Sequence, residues 1–248
     1  MPQQVIDVLI PAYNEEGSLP LVLRDLSQTP VRQVIVCNNG STDRTVEVAE
    51  AAGAVVVHEP RRGYGNACLA GMRYLKSLPA SEQPDIVVFL DGDYSDYPEE
   101  LPKVVAPILH NGADLVIGSR LLLPLPPGAM SAPQVFGNWL SSRLIRALYG
   151  YRFTDLGPFR AIRWPVLLQL DMRDPNYGWT VEMQIKAARH RLRTREVPVR
   201  YRPRAAGKSK VSRTFRGVVL AGAKILGLTV ALAFHRPVKT TISPEQNN

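Results

Sequence analysis

The run Ile86-Val87-Val88-Phe89-Leu90-Asp91-Gly92-Asp93 joins five uninterrupted apolar residues to two carboxylates one residue apart. A continuous β-branched and aromatic run of this length, with no polar alternation, is the pattern of a strand buried on both faces, as in a parallel sheet. The Asp-Gly-Asp that follows then falls where the strand runs out into a turn, and open α/β sheets bind ligands beyond the carboxyl ends of their strands. Carboxylate oxygens suit Mg²⁺ or Mn²⁺, which commonly complete their shell with substrate phosphates and water. An isolated D-x-D is more often a solvated turn, so the reading depends on what surrounds it.

Outward from this run the same alternation repeats. Strand-like runs occur at Val5 to Ile10, Gln33 to Cys37, Ala54 to His58 and Asp114 to Gly118, each separated by a stretch of helical length and composition. Such alternation predicts a parallel sheet covered by helices on both faces. Ser41-Thr42-Asp43 precedes a helical stretch from Arg44 to Ala52 that Gly53 closes, and Pro98-Glu99-Glu100 has the composition of a first helical turn. Further on, the pattern predicts a helix from about Val135 to Tyr149, a short extended piece near Phe159 to Ile162, a helix from Val181 to Arg191 and a strand from Thr194 to Tyr201. The leucine- and proline-rich segment from Leu121 to Pro133 has two open readings, a lipid-facing flap or a buried irregular connection.

The chain has 248 residues, 45% of them apolar, enough for one large α/β domain. We read residues 1–213 as that domain, 214–236 as an apolar or amphipathic helix and 237–248 as a disordered tail. The stretch from Gly217 to Phe234 is interrupted by Lys224 and is at the short limit for a bilayer span, so an interfacial helix or one docked on the domain is expected. The two cysteines, Cys37 and Cys68, stand in no metal-binding or redox spacing, and Val5 to Ile10 is too short for a signal-peptide core. A cytoplasmic protein, peripheral at the cytosolic face of a membrane, is the expectation. The net charge of +8 is concentrated: Arg189 to Arg216 holds eleven Lys or Arg against one Glu. Such a stripe can meet a phosphorylated substrate or an anionic membrane, whereas nucleic acid is disfavoured because stacking aromatics are few and no reader motif is present.

Four strand ends carry the chemistry. The first leads into Pro11-Ala12-Tyr13-Asn14-Glu15-Glu16, the second into Asn38-Asn39-Gly40-Ser41-Thr42-Asp43, the third into Arg62-Gly63-Tyr64-Gly65-Asn66-Ala67, and the fourth into Asp91-Gly92-Asp93. Gly63 and Gly65 begin a G-x-G, but Cys68 stands at the third glycine and no strand-ending acid follows, which argues against a dinucleotide site. A sugar nucleotidyltransferase would need a basic glycine-rich loop after the first strand, where this chain has Glu15 and Glu16.

Together with Gly118-Ser119-Arg120, Thr154-Asp155-Leu156-Gly157-Pro158-Phe159-Arg160, Glu182 and Arg204-Ala205-Ala206-Gly207-Lys208-Ser209-Lys210, these motifs resemble glycosyltransferase family 2, and within it the polyprenyl-phosphate branch that includes dolichyl-phosphate mannose synthases. The resemblance covers roughly residues 5 to 215. It implies a GT-A-type nucleotide-sugar-binding domain with a mostly parallel central sheet, and an inverting transfer of a hexose from a nucleoside-diphosphate sugar to a lipid phosphate. Asp91 and Asp93 would hold the metal, with Asp93 catalytic. Pro11, Tyr13, Glu15, Asn38, Gly65, Asp91, Arg204, Lys208 and Lys210 would bind the donor, Tyr13 by stacking on the base. Arg120, Ser142 and Arg143 would contact the acceptor phosphate. Asn38 stands where the family normally has Asp, which leans the donor toward a UDP-sugar and away from GDP-mannose.

A phosphate acceptor is already largely ionised near neutrality, its second pKa being about 6, so it needs no strong base. A hydroxyl acceptor, such as a glycolipid, terpenoid or glycan, would need one, and Asp155 is the nominee. Gly157-Pro158 replaces the Ser-Gly common in the branch, so phosphate and hydroxyl acceptors both stay open. A non-catalytic nucleotide-sugar-binding protein is the third reading, and the presence of both Asp91 and Asp93 argues against it.

Overall fold

A computed structural model describes residues 4–206 and the single further residue Gly227. The interval 214–236 apart from Gly227, the tail 237–248, Lys208 and Lys210 lie outside the described residues. Seven strands are described: β1 (Ile6–Ala12), β2 (Gln33–Asn38), β3 (Val55–His58), β4 (Ile86–Phe89), β5 (Leu115–Ser119), β6 (Arg160–Arg163) and β7 (Thr194–Pro198). They form one sheet in the order β3-β2-β1-β4-β6-β5-β7. All neighbouring pairs are parallel except those of β6, which runs antiparallel to both β4 and β5. The α/β class and the mostly parallel sheet expected from the sequence are therefore present. The short extended piece near Phe159 is the one reversed strand, inserted between the fourth and fifth.

Among residues 4–206, seven α-helices accompany the sheet: α1 (Leu19–Leu26), α2 (Thr45–Ala51), α3 (Tyr64–Ser77), α4 (Leu101–Asn111), α5 (Ala132–Tyr149), α6 (Trp164–Gln169) and α7 (Trp179–Arg189). Strand residues alternate between two cores because successive side chains point to opposite faces. Leu9, Ile35, Cys37, Val87 and Phe89 pack with α3, α6 and α7, while Val8, Ile10, Val36, Val88 and Leu90 pack with α1 and α4. Burial on both faces explains why the fourth strand reads as an unbroken apolar run.

Two boundaries differ from the periodic reading for local reasons. Helix α5 begins a turn earlier than Val135, because Ser131 and Gln134 form a reciprocal capping box and Pro133 is accommodated in the first turn. Strand β7, at one edge of the sheet, ends at Pro198 instead of Tyr201; the Val199 N–H still donates to the Ser119 carbonyl at 3.2 Å, but Tyr201 has turned away to bridge antiparallel to Asp96. The leucine- and proline-rich segment is a surface stretch rather than a buried connection, with Leu122, Pro124 and Pro126 to Gly128 exposed.

Candidate active site

The parallel registers pair Ala12 with Asn38 and Leu9 with Phe89, so the loops that leave β1, β2 and β4 emerge on one rim. The first two are stitched together by side chains. Asn14, in the left-handed region at φ 54°, accepts from the Thr42 N–H at 2.8 Å, and the Asn14 N–H donates to Ser41 Oγ at 3.0 Å. The Glu15 N–H donates to buried Thr45 Oγ1 at 2.8 Å. Asn tolerates this backbone conformation at low cost, which is the physical reason for its place in the turn.

These loops and the turn before α3 enclose a cleft of about 460 Å³ lined by Pro11, Tyr13, Glu15, Asn39, Arg62, Gly63, Tyr64, Asp91, Asp93, Tyr177 and Arg204 among others. Tyr13 presents its ring to the cleft, and the Arg62 guanidinium lies 3.8 Å from its centroid. Gly65 is sterically required: a Cβ there would fall 1.8 Å from the Asp174 carbonyl oxygen, and Asn66 N–H donates to the Pro175 carbonyl at 2.9 Å. The loop 171–178 that presses on this turn is itself held by Glu182, whose carboxylate accepts from the Arg173 and Asp174 N–H groups at 3.0 and 2.7 Å. Glu182 thus acts by shaping the turn, away from the reacting groups.

At the floor, the Asp91 carboxylate accepts from Tyr64 Oη at 3.1 Å, and Asp93 is bridged to Glu15 by Arg204, at 2.9 and 3.2 Å. Ser95 N–H donates to the other Asp93 oxygen at 2.9 Å. Burial, reinforced by the neighbouring Asp93 charge, pushes Asp91 up to about 7, against the opposing pull of Tyr64, Arg204 and Arg120. Two crowded carboxylates whose charges oppose each other constitute a site that a cation relieves. Among the described residues no cluster of three or more His, Cys, Asp or Glu converges on one point. The donor set therefore fits Mg²⁺ or Mn²⁺ taking the rest of its shell from a diphosphate and water, and does not fit a closed all-protein metal site.

A second cavity, about 670 Å³, shares Tyr64, Asp91, Asp93, Tyr177 and Arg204 with the first and adds Arg120, Gly128 to Ser131, Gln134, Leu156, Pro158, Thr180 and Tyr201. Its cation is fixed in place. Arg120 donates through Nε and Nη2 to the two Asp155 oxygens at 2.8 and 2.7 Å, and its backbone N–H adds a bond of 2.9 Å. Asp155 is fully buried. This bidentate pairing raises the Arg120 pKa, so the guanidinium is permanently charged.

Several sequence expectations change here. Asp155 is not disposed to take a proton from an acceptor, because both oxygens are engaged and the group is sealed from the cavity; it is an anchor for Arg120. Asn38 does not line the cleft: its amide oxygen accepts from the Ser41 N–H at 3.0 Å and its nitrogen meets His58 Nδ1 at 3.2 Å. The neighbouring Asn39 faces the cleft instead. Ser142 is buried on the inner face of α5, and Arg143 is exposed beside Trp139; neither lines either cavity, because the helix carries them away from the rim. Gln134, about two turns earlier in α5, and Met130, just before the helix, stand at the cavity wall. Pro11, Tyr13, Glu15, Asp91, Asp93 and Arg204 line the first cleft, Gly65 adjoins it through the turn it allows, and Arg120 lines the second. Sequence reasoning missed Arg62, Tyr177 and Tyr201. Arg62 stands in the quoted loop after the third strand but was given no role there; Tyr177 adjoins a glycine in a tight loop and Tyr201 follows the last strand, and no motif marked either.

The parallel sheet, the converging loop rim and the acid pair at the fourth strand's tip define a GT-A-type fold. Comparison with known proteins places it further: the family described as Glycosyl transferase family 2 matches residues 7–167, and the chain belongs to that family. An uncharacterized glycosyltransferase of Mycobacterium tuberculosis strain H37Rv is 38% identical over 223 residues, covering 89% of this chain and 96% of the relative. The undecaprenyl-phosphate mannosyltransferase of Micrococcus luteus is 34% identical, covering 82% of this chain and 86% of its own length, so the resemblance to the polyprenyl-phosphate branch is supported. Among solved structures, glucosyl-3-phosphoglycerate synthase of M. tuberculosis in complex with UDP is 25% identical, covers 93% of this chain and 80% of its own, and superposes with a TM-score of 0.70. That synthase has also been crystallised with UDP and Mn²⁺ or Mg²⁺.

Proposed function

We propose that this family 2 glycosyltransferase moves a hexose, with inversion, from a UDP-sugar to a polyprenyl phosphate. The observation that carries the reading is the shared wall of two cavities: Asp91, Asp93, Tyr64, Tyr177 and Arg204 stand between an acidic, aromatic cleft and a cavity with one rigid buried cation. A nucleoside diphosphate suits the first when a divalent ion accompanies it. A phosphate suits the second, where Arg120 offers a fixed charge without having to be ordered on binding.

In this scheme Tyr13 and Arg62 hold the base, and Asp91 and Asp93 would hold Mg²⁺ or Mn²⁺, which would neutralise charge developing on the departing diphosphate. Arg204 leaves its bridge between Glu15 and Asp93 to meet diphosphate oxygens. Lys208 and Lys210 follow it in the basic stripe and would add charge at the same place. Arg120 orients the acceptor so that a phosphate oxygen attacks the anomeric carbon from the face opposite the diphosphate. The carbon–oxygen bond to the diphosphate breaks, and its electron pair leaves with UDP. No side chain has to accept a proton, because the acceptor is already an anion.

A hydroxyl acceptor would require a base, and the buried, fully engaged Asp155 disfavours it. Support for the lipid acceptor comes from the Micrococcus relative, and support for the nucleotide from the UDP complex of the structural neighbour. Peripheral contact with an anionic membrane at the cytosolic face follows from a lipid acceptor; among the described residues no helix is long and apolar enough to cross a bilayer. The test supplies radiolabelled UDP- and GDP-sugars with undecaprenyl phosphate and either metal, then measures label in the organic phase. Label from a UDP-sugar is expected. Label only with a non-phosphorylated lipid, or only from GDP-sugars, would overturn the acceptor or the donor assignment respectively.

A further inference from the structure

We propose that Arg202 is a positioning residue for the donor: its guanidinium clamps the turn that carries Asp93 to the segment that carries Arg204, and so fixes both groups where a metal-bound diphosphate would meet them. The proposal rests on the donor reading above and adds to it the side chain that sets the geometry. Strand β4 ends at Phe89, so residues 91–97 run outside its ladder, and the residue after Asp93 is strained. Tyr94 adopts φ 61°, in the left-handed region that bulky side chains rarely enter and keep only where the surroundings hold them. Its hydroxyl donates to Asp25 Oδ2 on α1 at 2.5 Å, its ring centroid lies 3.5 Å from the Arg202 guanidinium, and its carbonyl accepts from Arg202 Nε at 2.7 Å.

The same side chain reaches further along the turn. The Arg202 guanidinium also stands 4.0 Å from the Tyr97 ring and donates through Nη2 to the Asp96 carbonyl at 3.3 Å. A planar guanidinium presents its faces to rings while its edges donate, a combination that the compact ammonium of lysine lacks. The backbone follows the side chain. Arg202 N–H donates to the Ser95 carbonyl at 2.9 Å, and Ala205 N–H donates to the Asp93 carbonyl at 3.3 Å. Arg204 lies between these two bonds, which is how its guanidinium comes to bridge Asp93 and Glu15 at 2.9 and 3.2 Å. With the backbone fixed on both sides, Arg204 can exchange these carboxylates for diphosphate oxygens by turning its side chain alone.

Arg200, two residues earlier, makes the contrast. Its guanidinium lies 4.1 Å from the Tyr97 ring, and its hydrogen bonds go to the Glu100 and Glu99 carboxylates at 2.7 and 3.0 Å, just before α4. These bonds tie the segment to a helix, whereas those of Arg202 tie it to the acid turn. A site built on loops is only as precise as the shell that holds it, so the second tie bears on donor binding and the first does not. Tyr94, Tyr97 and Arg202 stand outside the motifs that carry the family resemblance, and the clamp is visible only in the fold.

The experiment uses the full chain as Arg202→Ala, Arg202→Lys and Arg200→Ala. UDP binding is measured by calorimetry in the presence of Mn²⁺, and amide hydrogen exchange is measured without ligand. In Arg202→Ala we expect UDP affinity to fall about tenfold or more, as for the loss of hydrogen bonds to a charged group. The Ala205 amide should exchange about tenfold faster or more, while parental rates in β1 establish that the variant is folded. Arg200→Ala should lose stability in urea and keep the parent's UDP affinity. Arg202→Lys should recover at most part of the loss, because it restores the charge without the fork. Parental UDP affinity in Arg202→Ala overturns the proposal. So does an equal loss in Arg200→Ala, which assigns the effect to general packing of the segment, and so does full recovery in Arg202→Lys, which assigns it to net charge near the diphosphate. A parent chain that binds no UDP rejects the donor reading, whereas an Ala205 exchange rate unchanged by Arg202→Ala rejects the clamp, so the two failures are told apart.

Discussion

Asp155→Asn separates two roles that a carboxylate beside an acceptor cavity can have. Asp155 is fully buried and its two oxygens take bonds from Arg120 Nε, Nη2 and backbone N–H at 2.8, 2.7 and 2.9 Å, while the Arg120 side chain is only 10% exposed. Removing one partner of such a pair strands the other charge, at a cost of about 3 to 5 kcal/mol. Asn retains the shape and one acceptor oxygen, recovering about 1 kcal/mol, so a net loss of about 2 to 4 kcal/mol is expected in urea unfolding. The kinetic consequence should fall on the acceptor. With Arg120 no longer held, KM for prenyl phosphate should rise about tenfold or more, the worth of a charge-assisted contact, while UDP affinity stays as in the parent because Arg120 does not line the donor cleft. Steady-state kinetics at fixed donor, with UDP binding by calorimetry alongside, reads both. A variant as stable as the parent, with acceptor KM unchanged and kcat reduced a thousandfold, would refute the anchoring argument and restore Asp155 as a base.

Asp93→Asn should lower kcat about a hundredfold or more and weaken Mn²⁺-dependent UDP binding, since the charge opposite the leaving diphosphate is lost; parental transfer rates would remove the acid pair from the mechanism. Gly65→Ala should destabilise the protein by about 3 kcal/mol, because its Cβ would fall 1.8 Å from a backbone oxygen, and thermal melting checks this directly. Tyr177, 43% exposed yet lining both cavities, should cost under about 0.5 kcal/mol of stability as Tyr177→Ala while kcat/KM falls, a split that surface substitutions without a role do not show. Arg61 foremost, with Arg73, holds Glu59 down at about 2 against an ordinary 4.5. A depressed acid contributes its stability above pH 4.5 and loses it as the pH falls toward 2. With Arg61 and Arg73 side chains 66% and 55% exposed, the contribution is about 1 kcal/mol, and Glu59→Gln should remove both it and this part of the pH slope in urea titrations.

The sheet was legible because its central strands are buried on both faces, which leaves no polar position to blur the pattern. Val87 and Val88 face different cores yet are equally apolar, so the run between Ile86 and Leu90 reads as strand whichever side is considered. Direction is a different matter. Arg160 to Arg163 carries only a short extended signal, and whether such a piece pairs parallel or antiparallel depends on the path of α5 and the loop after it, which local composition does not encode. The donor rim was legible for a related reason: parallel strands deliver their carboxyl ends to one edge, so every polar motif following an apolar run arrives at the same place. The wall of the Arg120 cavity lacks that regularity. It is built from an irregular surface segment and one helix end, where a shift of two turns moves a side chain from the rim to the far face, and that shift is what separates Gln134 at the cavity from Arg143 in the open.

Inserting β6 in reverse between β4 and β5 has a consequence for the chemistry. It directs the loop entering β6, residues 154–159, to the same edge as the loops leaving β4 and β5, because an antiparallel strand begins where its parallel neighbours end. Asp155 in that entering loop can therefore meet Arg120, just after β5, while Asp91 and Asp93 emerge from β4 beside them. In an all-parallel arrangement residues 154–159 would lie at the opposite end of the sheet, about 13 Å or more away for a strand of four residues, and Arg120 would lack its anchor. The single reversed strand is thus what allows a fixed cation and the acid pair to share one wall, as the proposed transfer between two phosphorylated substrates requires.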